Sequence, residues 1–274
     1  MNLVWGHHRV AFWGWRAPDD TRKFVSLVSS LAEVARVEVV LEPTGTYGDP
    51  LRSLFGALSI PVFKVSAKHT HDAAEIYDGV PSQHDAKCAA IIGWLHCLGR
   101  SSLWTEESTD IRDLTAAVDV MVLFGKQEQA CLGRLEGKLA RHFPELSVIL
   151  DLGSATLLAL VEQFPDPASI KAQPAAARDL MRRVGGSLLA ETKIELVIAA
   201  ASTSTGVPMS AGERRMMTVL ARETDRQRKE GNAAAKQVEK VGKELEPVMR
   251  MSEVVGKKTA AVVFVAAGDP NAYA

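Results

Sequence analysis

Val37-Glu38-Val39-Val40-Leu41 runs directly into Glu42-Pro43-Thr44-Gly45-Thr46-Tyr47-Gly48, and this stretch decides the fold. Five residues with three valines read as a short β-strand, and the proline and two glycines that follow stop it in a loop. The apolar spacing over residues 49–58 then predicts a helix. A strand that empties through such a loop into a helix is the repeating unit of an α/β sheet.

Working outward, residues 9–15 read as an earlier strand. Ala17-Pro18-Asp19-Asp20 can turn and cap a helix over 21–33, with Phe24, Leu27, Val28 and Leu31 on one face. Residues 61–65 read as a further strand and 85–98 as a further helix. The first hundred residues are thus expected to form a mixed α/β sheet.

From Glu106 onward the strand signal ends. Leu114, Val118, Val122, Leu132, Leu135 and Leu139 recur at helical spacing up to Pro144. A shorter helix is expected near 154–163, a linker from Pro165 to Pro174, and helices over 175–184 and 188–201. Ser202-Thr203-Ser204-Thr205-Gly206-Val207-Pro208 breaks the pattern before a long charged helix over 210–251. Its apolar stripe (Val219, Leu220, Val238, Val241, Leu245, Val248) is thin, which predicts a coiled coil with 106–142, antiparallel within the chain or between chains. A turn at Val255-Gly256-Lys257-Lys258, a small-residue helix over 259–267 and Gly268-Asp269-Pro270 follow.

Composition narrows the class. Apolar residues are 47% and charged residues 24% of 274, which excludes disordered, collagen-like and disulfide-scaffold chains. No apolar run reaches the roughly 18 residues of a membrane span, and no secretory leader is visible, so a cytoplasmic protein is expected. Cys88, Cys97 and Cys131 form no CxxC pair, which fits a reducing compartment. The net charge is −1, but Lys and Arg outnumber Asp and Glu by 17 to 12 over 167–274 and by 10 to 7 over 210–251. Those cations either touch phosphate or line a solvated helix face.

Two carboxylates stand out. Glu42 leaves the end of a strand into a Gly-containing loop, a rigid position for a catalytic or metal-binding group; capping the helix at 49 or a solvated loop charge is the plainer role. Asp85 opens a helix after Ser82-Gln83-His84 and would either share a divalent cation with Glu42 or oppose the helix dipole. His7-His8, His69-x-His71 and His84 lack zinc spacing and read as surface or core histidines. Gly45-Thr46-Tyr47-Gly48 lacks the lysine of a phosphate-binding loop, and no serine sits in Gly-x-Ser-x-Gly.

Taken together, Leu41 to Gly48 and Tyr77-Asp78-Gly79-Val80-Pro81-Ser82-Gln83-His84-Asp85-Ala86-Lys87-Cys88-Ala89 resemble the DEDD transposases of the Piv-like insertion-sequence family. Leu103-Trp104-Thr105-Glu106-Glu107, Val255-Gly256-Lys257-Lys258-Thr259-Ala260-Ala261 and Gly268-Asp269-Pro270 fit in the same order. The resemblance implies a RuvC-like, ribonuclease-H-type domain over 1–104 and a helical, coiled-coil region over 105–251. It also implies the start of a helix-hairpin-helix-like C-terminal transposase domain over 252–274. Family members recombine the DNA of a mobile element under the guidance of an element-encoded RNA, with Mg²⁺ on an Asp, Glu, Asp, Asp tetrad and a serine in the C-terminal domain. By this resemblance the tetrad glutamate is Glu42, the third member is Asp85, and the partners are DNA, a guide RNA and a second copy through the coiled coil.

The chain departs from that pattern. Cys88 stands at the fourth tetrad position, nothing in Met1–His8 supplies the first aspartate, and the sequence ends at Ala274, before the expected serine. Val254 also replaces a glycine of the hairpin. The expectation is a copy of the lineage truncated at both ends and catalytically defective, since a thiol is a poor partner for Mg²⁺. Asp49 and Asp78 are the nearest carboxylates that could substitute. The competing expectation is a non-catalytic remnant that binds nucleic acid or a partner through its coiled coil.

Overall fold

The computed structural model describes residues 2–5, 8–12, 18–43, 46, 48–82 and 84–268, with backbone only for 2–12. The chain divides into two compact units, Met1–Glu106 and Glu107–Ala274.

The first unit opens with strands β1 (Asn2–Trp5) and β2 (His8–Phe12), paired antiparallel as a two-stranded sheet. Residues 13–15 of the expected first strand lie outside the described residues. Helix α1 (Asp19–Ala32) leads to β3 (Val39–Leu41), α2 (Asp49–Ala57) and β4 (Val62–Lys64). β3 and β4 are parallel, with Val39 opposite Val62 and Leu41 opposite Lys64. The helical crossover α2 between them is what a parallel pair requires. Helices α3 (Ala67–Asp72), α4 (Ala74–Asp78) and α5 (Asp85–Cys97) follow, and β5 (Ser102–Leu103) closes the sheet antiparallel to β4. The order is β3-β4-β5, so the expected mixed α/β sheet is present in the first unit.

Successive strand residues face opposite sides of a sheet, and β3 shows why both faces are covered. Val39 joins Val28, Phe55, Ile60 and Val62 in one apolar cluster beneath α1 and α2. Its neighbour Val40 packs on a second cluster of Val65, Ala74, Ile91 and Leu95 from α4, α5 and the adjoining loops. Phe24 meets Phe55 edge to face at 5.9 Å, and the Arg52 guanidinium lies 3.4 Å over the Trp104 ring.

The second unit is helical. Helix α6 (Thr109–His142) is capped by Ser108, whose hydroxyl accepts from the Ile111 amide. At 1.5 Å per residue its 34 residues span about 50 Å. Short helices α7 (Leu146–Ile149), α8 (Ala155–Gln163) and α9 (Pro167–Ala172) follow, then α10 (Pro174–Gly185) and α11 (Glu191–Thr203). Helix α12 (Ala211–Gly242), set by a Ser210–Glu213 capping box, precedes α13 (Glu246–Val255) and α14 (Lys257–Ala267).

Helices α6 and α12 lie antiparallel along their length. A Cβ on Gly242 would sit 3.8 Å from Leu114, one on Gly231 would sit 3.6 Å from Phe124, and His142 Nε2 is 3.4 Å from Glu213. The residues that α6 turns inward are Ile111, Leu114, Val118, Met121, Gly125, Glu128, Leu132, Leu135, Leu139 and His142, at alternating steps of three and four. On α12 the same alternation runs through Met217, Leu220, Thr224, Gln227, Gly231, Ala234, Val238 and Val241. Both helices therefore bury one narrow seam against each other.

Two apolar clusters flank the seam. One joins Leu135 and Leu139 of α6 and Met217 and Leu220 of α12 to α7–α11; the other joins Leu114, Val118 and Val238 to Val248, Ala261 and Phe264. The segment 252–268 thus packs onto α6 and α12.

Three local expectations change. The stretch from Pro165 to Pro174 is not a linker: Asp166 and Ser169 form a capping box, and Ile170 of α9 is fully buried. The helix expected over 210–251 breaks after Gly242, because Pro247 lacks an amide proton and starts α13 instead. Val122 and Val219 are exposed, and Met121 and Met217 take the inward positions. Residues 67–78 form α3 and α4 around the buried small residues Thr70, Ala73 and Ala74.

Candidate active site at the end of β3

Glu42 follows directly on β3, half-buried, at the carboxyl end of the parallel pair. Open α/β sheets present their functional groups at this end. Thr44, Gly45 and Tyr47 of the same motif lie outside the described residues. Asp85 is the first residue of α5 and is exposed, and Cys88 stands one turn further on, half-buried. The His84 ring caps this helix, Nδ1 accepting from the Lys87 amide at 3.2 Å; Gln83 lies outside the described residues.

The Cys88 thiol reports on what surrounds it. Burial pushes it above its usual range, and the charges of Glu42 and Asp85 push it further in the same direction. The charges at the strand end and at the helix start thus both raise this one thiol. At neutral pH that thiol is protonated. A hard cation such as Mg²⁺ selects oxygen donors, so this donor set fits it poorly: two carboxylates and a neutral sulfur. Among the described residues, no group of three or more His, Cys, Asp or Glu side chains could hold a metal ion.

Asp49 and Asp78, the alternative carboxylates, are both engaged. Asp49 pairs with Arg52 within the first turn of α2. Asp78 accepts from Lys87 Nζ at 2.6 Å and from the Val80 amide at 3.0 Å. Lys87 is the group that sequence reasoning missed. Its side chain is almost completely buried, and Nζ also donates to the Val80 carbonyl. The backbone turns at Gly79 with φ of +78°, a conformation that favours glycine. Tyr77 then packs edge-on against Trp94 of α5, ring centroids 5.7 Å apart. The Tyr77–Val80 loop is thereby riveted to the helix that carries Asp85 and Cys88. A single lysine inside the apolar run from Ala86 to Ile92 was the available signal.

A second polar cluster occupies the opposite end of β3. His96 Nε2 lies 3.0 Å from Glu38, and its Nδ1 lies 2.7 Å from the Ser101 hydroxyl. The bond from His96, joined by Arg36, holds the Glu38 carboxyl below the usual range. This arrangement ties the end of α5 to the start of β3. His69 and His71 are exposed on α3.

On α12, Arg214 pairs with Asp166, Arg222 with Glu162, Arg226 with Glu223, and both Arg228 and Lys229 with Asp225. The basic excess of that helix is therefore spent largely on the protein's own carboxylates. Lys243 and Lys257 line a shallow groove with Glu239 and Ser252, next to the Gly256 turn. Among the described residues no helix is long and apolar enough to cross a membrane. Neither a protein-family model nor a curated protein matches the chain.

Proposed function

We propose that this chain is a transposase-lineage protein of the DEDD, RuvC-like kind, which binds the DNA of a mobile element without metal-dependent strand cleavage of its own. The observation that carries the proposal is the thiol of Cys88, raised by burial and by Glu42 and Asp85, at the place where the resembling family has a carboxylate. Glu42 and Asp85 are the residues that would hold Mg²⁺, and the ion would supply charge neutralisation for phosphoryl transfer. The neutral thiol supplies neither charge nor oxygen. Calorimetric titration with Mg²⁺ and Mn²⁺ tests the proposal: Cys88→Asp should bind at least tenfold more tightly than the wild type. Equal, saturable binding by both proteins would overturn it.

DNA binding in this reading rests on the second unit. The antiparallel α6–α12 pair, with its three-and-four spacing, supports an intramolecular coiled coil as the arm that carries the contacts. Lys243 and Lys257, with Lys258 beside the Gly256 turn, offer phosphate contacts that the ion-paired face of α12 does not. A guide RNA and a second copy complete the partners; Val120 and Leu123 are exposed on the outer side of α6, where a second copy could pack. Fluorescence anisotropy against duplex DNA at several salt concentrations checks the phosphate contacts. Lys257→Ala with Lys258→Ala should weaken binding and lower the salt slope by about 1–2, as loss of one or two phosphate contacts does.

A further inference from the structure

The two apolar clusters of the α6–α12 hairpin are separate, and the seam between them is built from different material. Its inward positions are Gly125, Glu128 and Leu132 on α6 against Thr224, Gln227 and Gly231 on α12. Leu132 is the one large aliphatic side chain among them, half-buried against Gly153, and Phe124 lies half-buried beside Gly231. Gln227 is 3% exposed; its amide donates to Glu223, while its carbonyl oxygen is buried and finds no donor among the described residues. A buried carbonyl without a donor disfavours the closed state relative to an opened, hydrated one.

The backbone is also weak here. A Cβ on Gly125, Gly133 or Gly137 would meet nothing within 4 Å, so packing requires none of the three, and Gly125 is the one that lies in the waist. Gly242, by contrast, lies under Val248, where a Cβ would sit 3.2 Å from a methyl carbon. A glycine inside a helix that packing does not demand lowers the local cost of opening.

We infer that this waist is a hinge built into the hairpin, about which the end carrying α7–α11 and the end carrying α13 and α14 bend without breaking either apolar cluster. Bending there sacrifices less apolar burial than at either end, because Phe124 and Leu132 are half-buried whereas Leu114, Leu135 and Leu139 are fully buried. It also hydrates the Gln227 carbonyl. Each end keeps its own cluster and moves as a body.

Hydrogen exchange on the full chain reads the hinge directly, since amides in weakly held segments exchange through local opening. Amides over 122–131 and 224–234 should exchange at least tenfold faster than those over 112–118 and 135–141. Gly125→Ala should slow the waist about fivefold, leaving both ends unchanged. Glu128→Leu with Gln227→Leu should bring the waist to the protection of the ends. Uniform protection along both helices in the wild type, or waist exchange that neither variant slows, would overturn the inference.

Discussion

At the residue scale the account turns on one atom, the Cys88 sulfur. Its pKa is raised by burial first and by Glu42 and Asp85 second, so it should alkylate more slowly at neutral pH than the exposed Cys97. Glu42→Gln removes one of the opposing charges and should speed alkylation of Cys88 several-fold, with its pH profile moved down; mass spectrometry of iodoacetamide adducts separates the two cysteines. An unchanged profile would mean that Glu42 lies too far from the sulfur to act on it. Lys87 gives a second prediction with a definite sign. Lys87 holds the Asp78 carboxyl below its usual range, so the stabilisation is present at neutral pH and is lost as pH falls through the depressed value. Lys87→Met should therefore melt below the wild type at pH 7, and the gap should shrink toward pH 3. Glu42, Asp85 and Cys88 were legible because their motif is short and ordered in sequence. Lys87 was not, because a buried lysine looks in sequence like any solvated one, and only the folded loop reveals its two acceptors.

At the scale of elements, the helix-forming stretches were legible and their partners were not. The stripe through Leu114, Val118, Leu135 and Leu139 was visible, whereas the inward places of Gly125, Glu128, Thr224 and Gln227 interrupt the apolar repeat. With the repeat hidden, Val122 and Val219 were assigned to the stripe in place of Met121 and Met217. The distinction is measurable. Leu139 is completely buried and Leu123 is 52% exposed. Leu139→Ala should cost about 2–5 kcal/mol in chemical denaturation, and Leu123→Ala less than about 0.5 kcal/mol. The break at 202–208 was read correctly, but not its purpose. Glu145, although partly desolvated, accepts from the Ser204 hydroxyl and from the Thr205 amide and hydroxyl, which keep its carboxyl below the usual range. Beside it, a Cβ on Gly206 would fall 2.0 Å from the His142 carbonyl oxygen. Gly206→Ala should destabilise the second unit by about 1–3 kcal/mol through forced backbone movement; a stability equal to wild type would show that the loop shifts freely. None of this is readable from a Ser/Thr run, because the groups it binds are some sixty residues earlier in the chain.

At the scale of the whole molecule, the division into a sheet-bearing unit and a helical unit falls at Glu106, where the strand signal ends in the sequence. The reason is physical: alternating and β-branched runs give way to a three-and-four apolar period at that point, and one period cannot serve both kinds of element. What each unit does is a matter of sites: under the proposed function the second contacts DNA and the first does not cleave it. One measurement bears most directly on that claim: incubation of the purified 274-residue chain with supercoiled DNA carrying a matching element end, with the guide RNA supplied, in the presence of Mg²⁺ or Mn²⁺ and in EDTA. No nicking or strand exchange above the EDTA control is expected in either metal. Metal-dependent nicking that disappears in both Glu42→Gln and Asp85→Asn would contradict it, and would show that two carboxylates beside a thiol suffice for the chemistry.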